Sequence, residues 1–182
     1  MNSDKIILNL YKSGFLQKAM KYLMDDYGDM VYRFILVMVK NEDDARDVSQ
    51  EVFIKIYKKL HLFQGNSELK TWIFSVAKNT TYSYIQSRHY QLEKNDSVMM
   101  DSPAKTTEYF KDDTYLLRQN ISELSDTLKI PLTMFYFMEC RYEEIAHILD
   151  VPLNTIKAQI RRAKIQLLKK LKENKIERNS VS

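Results

Sequence analysis

Glycine and proline are scarce, three of each in 182 residues. Sandwiches, barrels and Gly-rich nucleotide folds need many turn residues, so this composition argues against them. There is one cysteine, Cys140, which excludes an intramolecular disulfide framework and fits a reducing compartment. No apolar run approaches the roughly 20 residues that span a bilayer. Residues 1–11 carry an interrupted apolar pattern and no small-residue cleavage site, so they do not read as a signal peptide. A large excess of one charge is missing too. The 28 Lys and Arg against 24 Asp and Glu leave +4, too little to imply a nucleic-acid partner by itself. Apolar side chains are plentiful: 45% of residues are hydrophobic, with 12 Tyr and 8 Phe, enough to build cores. The expectation is an all-α, soluble, cytoplasmic protein.

Charge is segregated along the chain. Residues 41–51 hold Glu42, Asp43, Asp44, Asp47 and Glu51 against Arg46, a net of −4. Residues 52–94 come to +5, residues 95–128 are acidic, and residues 153–178 come to +7. Two basic zones with acid between them suggest two contact surfaces for an anion, although a charge run alone is usually a solvated face. The stretch from Gln91 to Asp113 loses helical periodicity and contains Asn95-Asp96-Ser97 and Asp101-Ser102-Pro103. It divides the chain into a domain over 1–90, a flexible linker over 91–112 and a domain over 113–182.

Between Asp44 and Leu60, the residues Ala45, Val48, Val52, Ile56 and Leu60 recur at steps of three and four, the apolar stripe of a helix. The opposite face holds Asp43, Asp47, Gln50, Glu51 and Ile54. It suits water, or a protein partner offering basic and apolar groups. A polar break, Phe63-Gln64-Gly65-Asn66-Ser67, follows. Gly65 is free to take a positive φ, and Ser67 is placed to cap the next helix.

That helix runs from about Glu68 to Arg88. Leu69, Ile73, Val76, Ala77, Thr80 and Tyr84 form one side. Thr71, Ser75, Lys78, Asn79, Tyr82 and Gln86 form the other, with Trp72 at the border. An acid-free face of hydroxyls, amides, lysine and aromatics suits a single nucleic-acid strand, since aromatics stack on bases and polar groups bond their edges. Trp72 and Tyr82 fit the completion of a core as well.

An apolar run, Pro131 to Phe137, precedes Tyr142-Glu143-Glu144-Ile145-Ala146-His147-Ile148-Leu149. Asp150-Val151-Pro152-Leu153 and a long basic helix come next. This is the helix-turn-helix pattern. Ile156, Ile160, Ala163, Leu167 and Leu171 make the buried stripe of the second helix. Ala158, Arg161, Arg162, Ile165 and Lys169 point away, with Lys157 beside them. Pro152 helps end the first helix, and Asn154 and Thr155 are capping candidates for the second. Arg161 can bond guanine bidentately, and Lys157 can reach phosphate or a base.

Enzyme chemistry finds little footing. There is no G-x-x-x-x-G-K-[ST] loop and no H-E-x-x-H. His61, His89 and His147 are far apart, so no metal site is expected. Cys140 reads as a small buried hydrophobe and His147 as a surface residue. Glu143 and Glu144 read as solvated or partner-facing groups.

Two blocks resemble the extracytoplasmic-function (ECF) group of bacterial RNA polymerase sigma factors. The first is Asp43-Asp44-Ala45-Arg46-Asp47-Val48-Ser49-Gln50-Glu51-Val52-Phe53, with Phe63-Gln64-Gly65, Lys70-Thr71-Trp72-Ile73-Phe74 and Ala77-Lys78-Asn79. It is similar to the family's region two. The second, Tyr142-Glu143-Glu144-Ile145-Ala146 with Thr155-Ile156-Lys157 and Arg161-Arg162-Ala163, is similar to region four. The resemblance covers roughly 20–90 and 113–173.

It implies two small helical domains, the C-terminal one a helix-turn-helix, with no cofactor and no small-molecule substrate. Asp47, Gln50, Glu51 and Ile54 would dock on the clamp of the polymerase core. Phe63, Gly65, Asn66, Ser67, Lys78 and Asn79 would take the unpaired −10 strand of promoter DNA, joined by Trp72, Ser75 and Tyr82 from the acid-free helix face described above. Thr155, Lys157, Ala158, Arg161 and Arg162 would meet the −35 duplex. A membrane-associated anti-sigma protein is an implied partner.

The chain departs from the family's usual pattern at Gln64 (Arg in many members), Ser125 (Pro), Glu139 (Gly) and Arg141 (Ser). Pro131 falls in a stretch usually written as one helix, where a helix start or a kink is expected. The alternatives are a stand-alone helix-turn-helix regulator and a helical adaptor that binds only proteins.

Overall fold

A computed structural model describes residues 3–94 and 120–180. These residues form helices and no strand. They belong to two compact units, one within Met1–Pro103 and the other within Ala104–Ser182. Most of the stretch read as linker, and residues 113–119, lie outside the described residues.

The first unit contains α1 (Ser3–Lys12), α2 (Leu16–Val39), α3 (Glu42–Lys59), a 3-10 turn (Leu60–Leu62) and α4 (Leu69–Lys94). In this unit the apolar periodicity described above marks α3 and α4 in the sequence but not α1 or α2. Gly14, at φ +82°, lets the chain reverse between those two helices. Two residues, Lys40 and Asn41, suffice to join α2 to α3. Lys40 adopts the left-handed conformation, and Asn41 caps α3 by accepting from the Asp44 N–H at 3.0 Å.

α2 packs on α1, α3 and α4, and α3 packs on α4. The core takes Leu23, Val31, Phe34 and Ile35 from α2 and the predicted stripe of α3, with Leu60 just beyond it. Phe34 and Phe74 meet edge to face at 5.5 Å. Burying each large apolar side chain contributes about 1.5–3 kcal/mol. Tyr27 ties α1 to α2 by donating to Asp4 at 2.5 Å. Burial, and then this bond, push its phenol pKa far above the ordinary value.

α4 runs to Lys94, four residues into the stretch expected to be linker. It also buries more than one stripe. Thr71, Phe74 and Thr81 are enclosed together with Leu69, Ile73, Ala77 and Thr80. Thr71 therefore leaves the outer face to which the sequence assigned it. The cause is that α4 lies against both α2 and α3, so two of its sides are covered.

The second unit contains α5 (Asp126–Phe137), α6 (Tyr142–Leu149) and α7 (Leu153–Ser180). All three pack on one another. Its core holds Leu132, Met134, Met138, Ile145, Ile148, Ile156, Ile160 and Ala163. Cys140 is buried among them and His147 is exposed, as expected.

Pro131 does not start a helix. α5 begins at Asp126, and the Ser125 carbonyl accepts from Leu128 and Lys129 N–H groups at 2.9 and 2.8 Å. Burial of Leu128, Ile130, Leu132 and Met134 offsets the backbone bond that Pro131 cannot make. Lys129 is buried as well, and its ammonium donates to the Ser122 carbonyl at 2.6 Å. Among the described residues no helix is long and apolar enough to cross a membrane.

Candidate nucleic-acid interface

The exposed face of α3 carries Asp43, Asp47, Gln50, Glu51 and Ile54, with Ile54 54% exposed. Three acids in its first turn sit at the positive end of the helix dipole. Arg46 bridges to Asp43 at 3.2 Å, and Lys55 bridges to Glu51 at 2.6 Å. Asp44 turns inward instead. It accepts from the Tyr84 hydroxyl at 2.7 Å and pairs with Arg88, which joins α3 to α4. Burial and the nearby Asp47 carboxylate raise the Tyr84 phenol pKa. No local pattern marks this cluster in the sequence, because Asp44 lies forty positions from Tyr84.

The loop before α4 is held open by Gly65, whose φ of +77° suits a residue without Cβ. Gly65 and Asn66 are exposed, and the Asn66 amide donates to the Gln64 side chain at 3.2 Å. Phe63 leans on Trp72, with ring centres 5.7 Å apart, and both rings keep part of their surface. Trp72 thus joins core packing to an accessible edge.

Ser67 does not cap α4. Its hydroxyl donates to the Glu68 carbonyl at 3.3 Å, and that carbonyl begins the helix by accepting from Trp72 N–H at 3.2 Å. Along α4, Ser75 and Lys78 are half-buried, and Asn79 and Tyr82 are exposed. The Ser75 hydroxyl donates to the Thr71 carbonyl at 2.9 Å, which leaves its lone pair as an acceptor.

In the second unit, Asp150 stops α6 by adopting the left-handed conformation at φ +57°. Pro152 opens α7: its carbonyl accepts from Thr155 and Ile156 N–H groups at 2.9 and 3.1 Å. Asn154 and Thr155 lie inside the first turn of α7 and are not its caps. Glu144 is buried, not solvated. Its carboxylate accepts from the Arg141 backbone N–H at 2.6 Å, half of a capping box.

Ile156, Ile160, Ala163 and Leu167 are buried on α7, and Leu171 is half-buried. Thr155, Lys157, Arg161 and Arg162 are exposed, with Ala158 partly so. Four of the five residues expected at a duplex therefore face water, at the start of a long helix whose opposite side anchors it.

The sigma-70 region 2 model matches residues 23–90, and the sigma-70 region 4 model matches residues 115–167. The ECF RNA polymerase sigma factor SigM of Bacillus subtilis is 32% identical over 148 residues, 78% of this chain and 88% of that protein. This chain belongs to the ECF family of RNA polymerase sigma factors.

The ECF sigma-E factor of Escherichia coli K12 is 29% identical over 175 residues, covering 89% of this chain and 91% of its own. Among solved structures, the sigma factor RpoE of Bartonella quintana, in complex with the anti-sigma factor NepR, superposes with a TM-score of 0.73. It covers 85% of this chain and 98% of its own at 24% identity, which supports the fold alone. CnrH, in complex with the cytosolic domain of CnrY, gives a TM-score of 0.67 at 18% identity, over 94% of this chain and 99% of its own.

This sigma factor is a transcription initiation factor with DNA binding through region 4. Region 2 spans most of α2, all of α3 and α4 to Tyr90, and region 4 includes α5, α6 and the first half of α7. Glu139, placed where the family usually has glycine, adopts φ +50°. That is a left-handed conformation, which glycine takes without strain.

Proposed function

We propose that this sigma factor directs core polymerase to promoters by −35 duplex readout and −10 strand capture. The observation that carries the reading is α7: Lys157, Arg161 and Arg162 project from one side while Ile156, Ile160 and Ala163 hold the other in the core. A recognition helix needs both properties, a rigid seat and a bare basic face. Arg161 and Arg162 would read base edges, and Thr155 and Lys157 would position the duplex through phosphate, with Ala158 lying close to it.

Phe63, Gly65, Asn66, Ser67, Trp72, Ser75, Lys78, Asn79 and Tyr82 would hold the unpaired strand. Stacking on an aromatic is worth about 1–3 kcal/mol per base, comparable to the cost of unstacking it. Asp47, Gln50, Glu51 and Ile54 would dock on the polymerase clamp. Residues 1–90 and 113–182 would be the two working domains, with 91–112 spanning the distance between promoter elements. The protein would act in the cytoplasm and perform no chemistry on a substrate. A membrane-associated anti-sigma protein would hold it in reserve, a reading supported by the anti-sigma factor NepR bound to RpoE in a similar solved structure.

The test is transcription in vitro with core polymerase and a library of random promoters, with and without this protein. Enrichment of templates sharing two spaced elements is expected. Absence of stimulation, with duplex binding by the protein alone, would identify a stand-alone regulator. Silence in both would favour a protein-only adaptor.

A further inference from the structure

Nine basic side chains crowd residues 153–178, and by charge alone each is a candidate for DNA. The structure separates one of them. The Lys164 ammonium lies 5.1 Å from the centre of the Tyr136 ring and 5.3 Å from that of Phe135. Phe135 stacks on Tyr142 at 4.8 Å and meets Tyr136 edge to face at 5.0 Å. The cation of α7 is thus held over two rings of α5, and Phe135 in turn stacks on the first residue of α6, so all three helices of the unit meet at this point. Its bond to Tyr136 outweighs the desolvation of the ammonium and raises the pKa, which keeps the cation charged. A cation over an aromatic face is attracted by the negative face of the ring.

The position on the helix matters as much as the contact. At about 100° per residue, Lys164 lies in line with Lys157 and roughly 60° from Arg161, at the edge of the buried stripe. Ile156, Ile160, Ala163 and Leu167 are rounded apolar knobs that resist separation from the core but resist rotation less. A rotation of about 20° at a helix radius of roughly 5–6 Å displaces a side-chain tip by about 2 Å. That is enough to break a bidentate hydrogen bond to a base.

We propose that Lys164 is a positioning residue for −35 recognition: seated over Phe135 and Tyr136, with Phe135 backed by Tyr142, it sets the rotation of α7 that aims Arg161 and Arg162 at base edges, and it does not bind the duplex itself. The proposal rests on the reading of α7 as the −35 helix.

The test uses reconstituted holoenzyme on a responsive promoter and on single-base variants of its −35 element, across a range of salt concentrations. Lys164→Met is expected to lower discrimination between these promoters about fivefold, with an unchanged salt slope, and Lys164→Arg restores it. Tyr136→Leu alters an exposed, uncharged side chain on another helix and is expected to give the same loss. This second variant keeps the test decisive if Lys164→Met disturbs folding. Uniform weakening on all promoters, with a salt slope smaller by about one, would make Lys164 a phosphate contact and overturn the proposal. Unchanged discrimination in both Lys164→Met and Tyr136→Leu would overturn it as well. A wild-type holoenzyme blind to −35 sequence would instead overturn the underlying reading of α7, and this proposal with it.

Discussion

The Tyr84 hydroxyl donates to the Asp44 carboxylate at 2.7 Å, across forty positions of sequence. Asp44 lies one residue from the exposed acid Asp43, and Tyr84 two residues from the exposed aromatic Tyr82. The bond therefore holds the proposed polymerase face of α3 and the proposed strand face of α4 in one register. Tyr84→Phe removes the donor and leaves the Arg88 pair in place. Urea denaturation is expected to show a loss of about 1 kcal/mol.

Alkaline pH provides a second test of the first unit. The Tyr27 phenol keeps its proton well above the ordinary value of 10, first through burial and then through Asp4. The unfolded chain releases that proton near pH 10, so the stabilisation is complete below this value and is lost as pH rises beyond it. The urea midpoint of the wild type is expected to fall between pH 9 and 11 (about one unit either side of the free phenol). Tyr27→Phe should show a shallower fall; an equal slope in both proteins would assign the effect to other groups.

Glu139 sits at φ +50°, where a Cβ crowds the backbone. Glu139→Gly is expected to raise the stability of the second unit by about 0.5–1 kcal/mol, while Glu139→Ala does not. Thermal melts of the two variants check this. A gain with alanine would point to the lost charge, not to the backbone.

Ile54 is 54% exposed in the middle of an acidic face, so its removal costs the fold little. Ile54→Asp is expected to weaken binding to core polymerase at least tenfold, about 1.4 kcal/mol or more, with an unchanged melting temperature. Competition against wild-type protein for a limited amount of core measures it.

Asn79 is exposed on α4, away from the α3 contact. Asn79→Ala is expected to lower open-complex formation by roughly tenfold, within the 1–3 kcal/mol of a lost base contact. Affinity for core polymerase should stay the same. Permanganate footprinting reads the first quantity, and intact open complexes would move the strand-trapping face elsewhere.

The legible parts share one property. Ala45, Val48, Val52 and Ile56 repeat with the helix period, and so do Ile156, Ile160, Ala163 and Leu167. All eight are buried. Their complements, from Asp47 and Ile54 to Arg161 and Arg162, are exposed for the same geometric reason. Period and exposure follow from neighbours three and four residues away, so a local pattern carries them. Helix ends were less legible. Ser67, Asn154 and Thr155 have the chemistry of caps, yet Glu68 and Pro152 begin the helices. A carbonyl in the right place suffices to start a helix, and side-chain preference ranks below it.

From its order of residues alone, the chain was determined to be helical, divided and equipped with a long basic helix after a tight turn. These properties come from short-range periodicity and from blocks of linked residues. Tertiary structure decided which members of those blocks are spent inside. Thr71 went to the core because α4 is covered on two sides. Asp44 went to Tyr84, Glu144 to the Arg141 backbone, and Lys164 to two aromatic rings. In the sequence each of these is one more polar or charged residue among many. Whether such a group meets water, DNA or another helix depends on partners brought close by folding, and burial makes an unpaired polar group costly enough to select the partner.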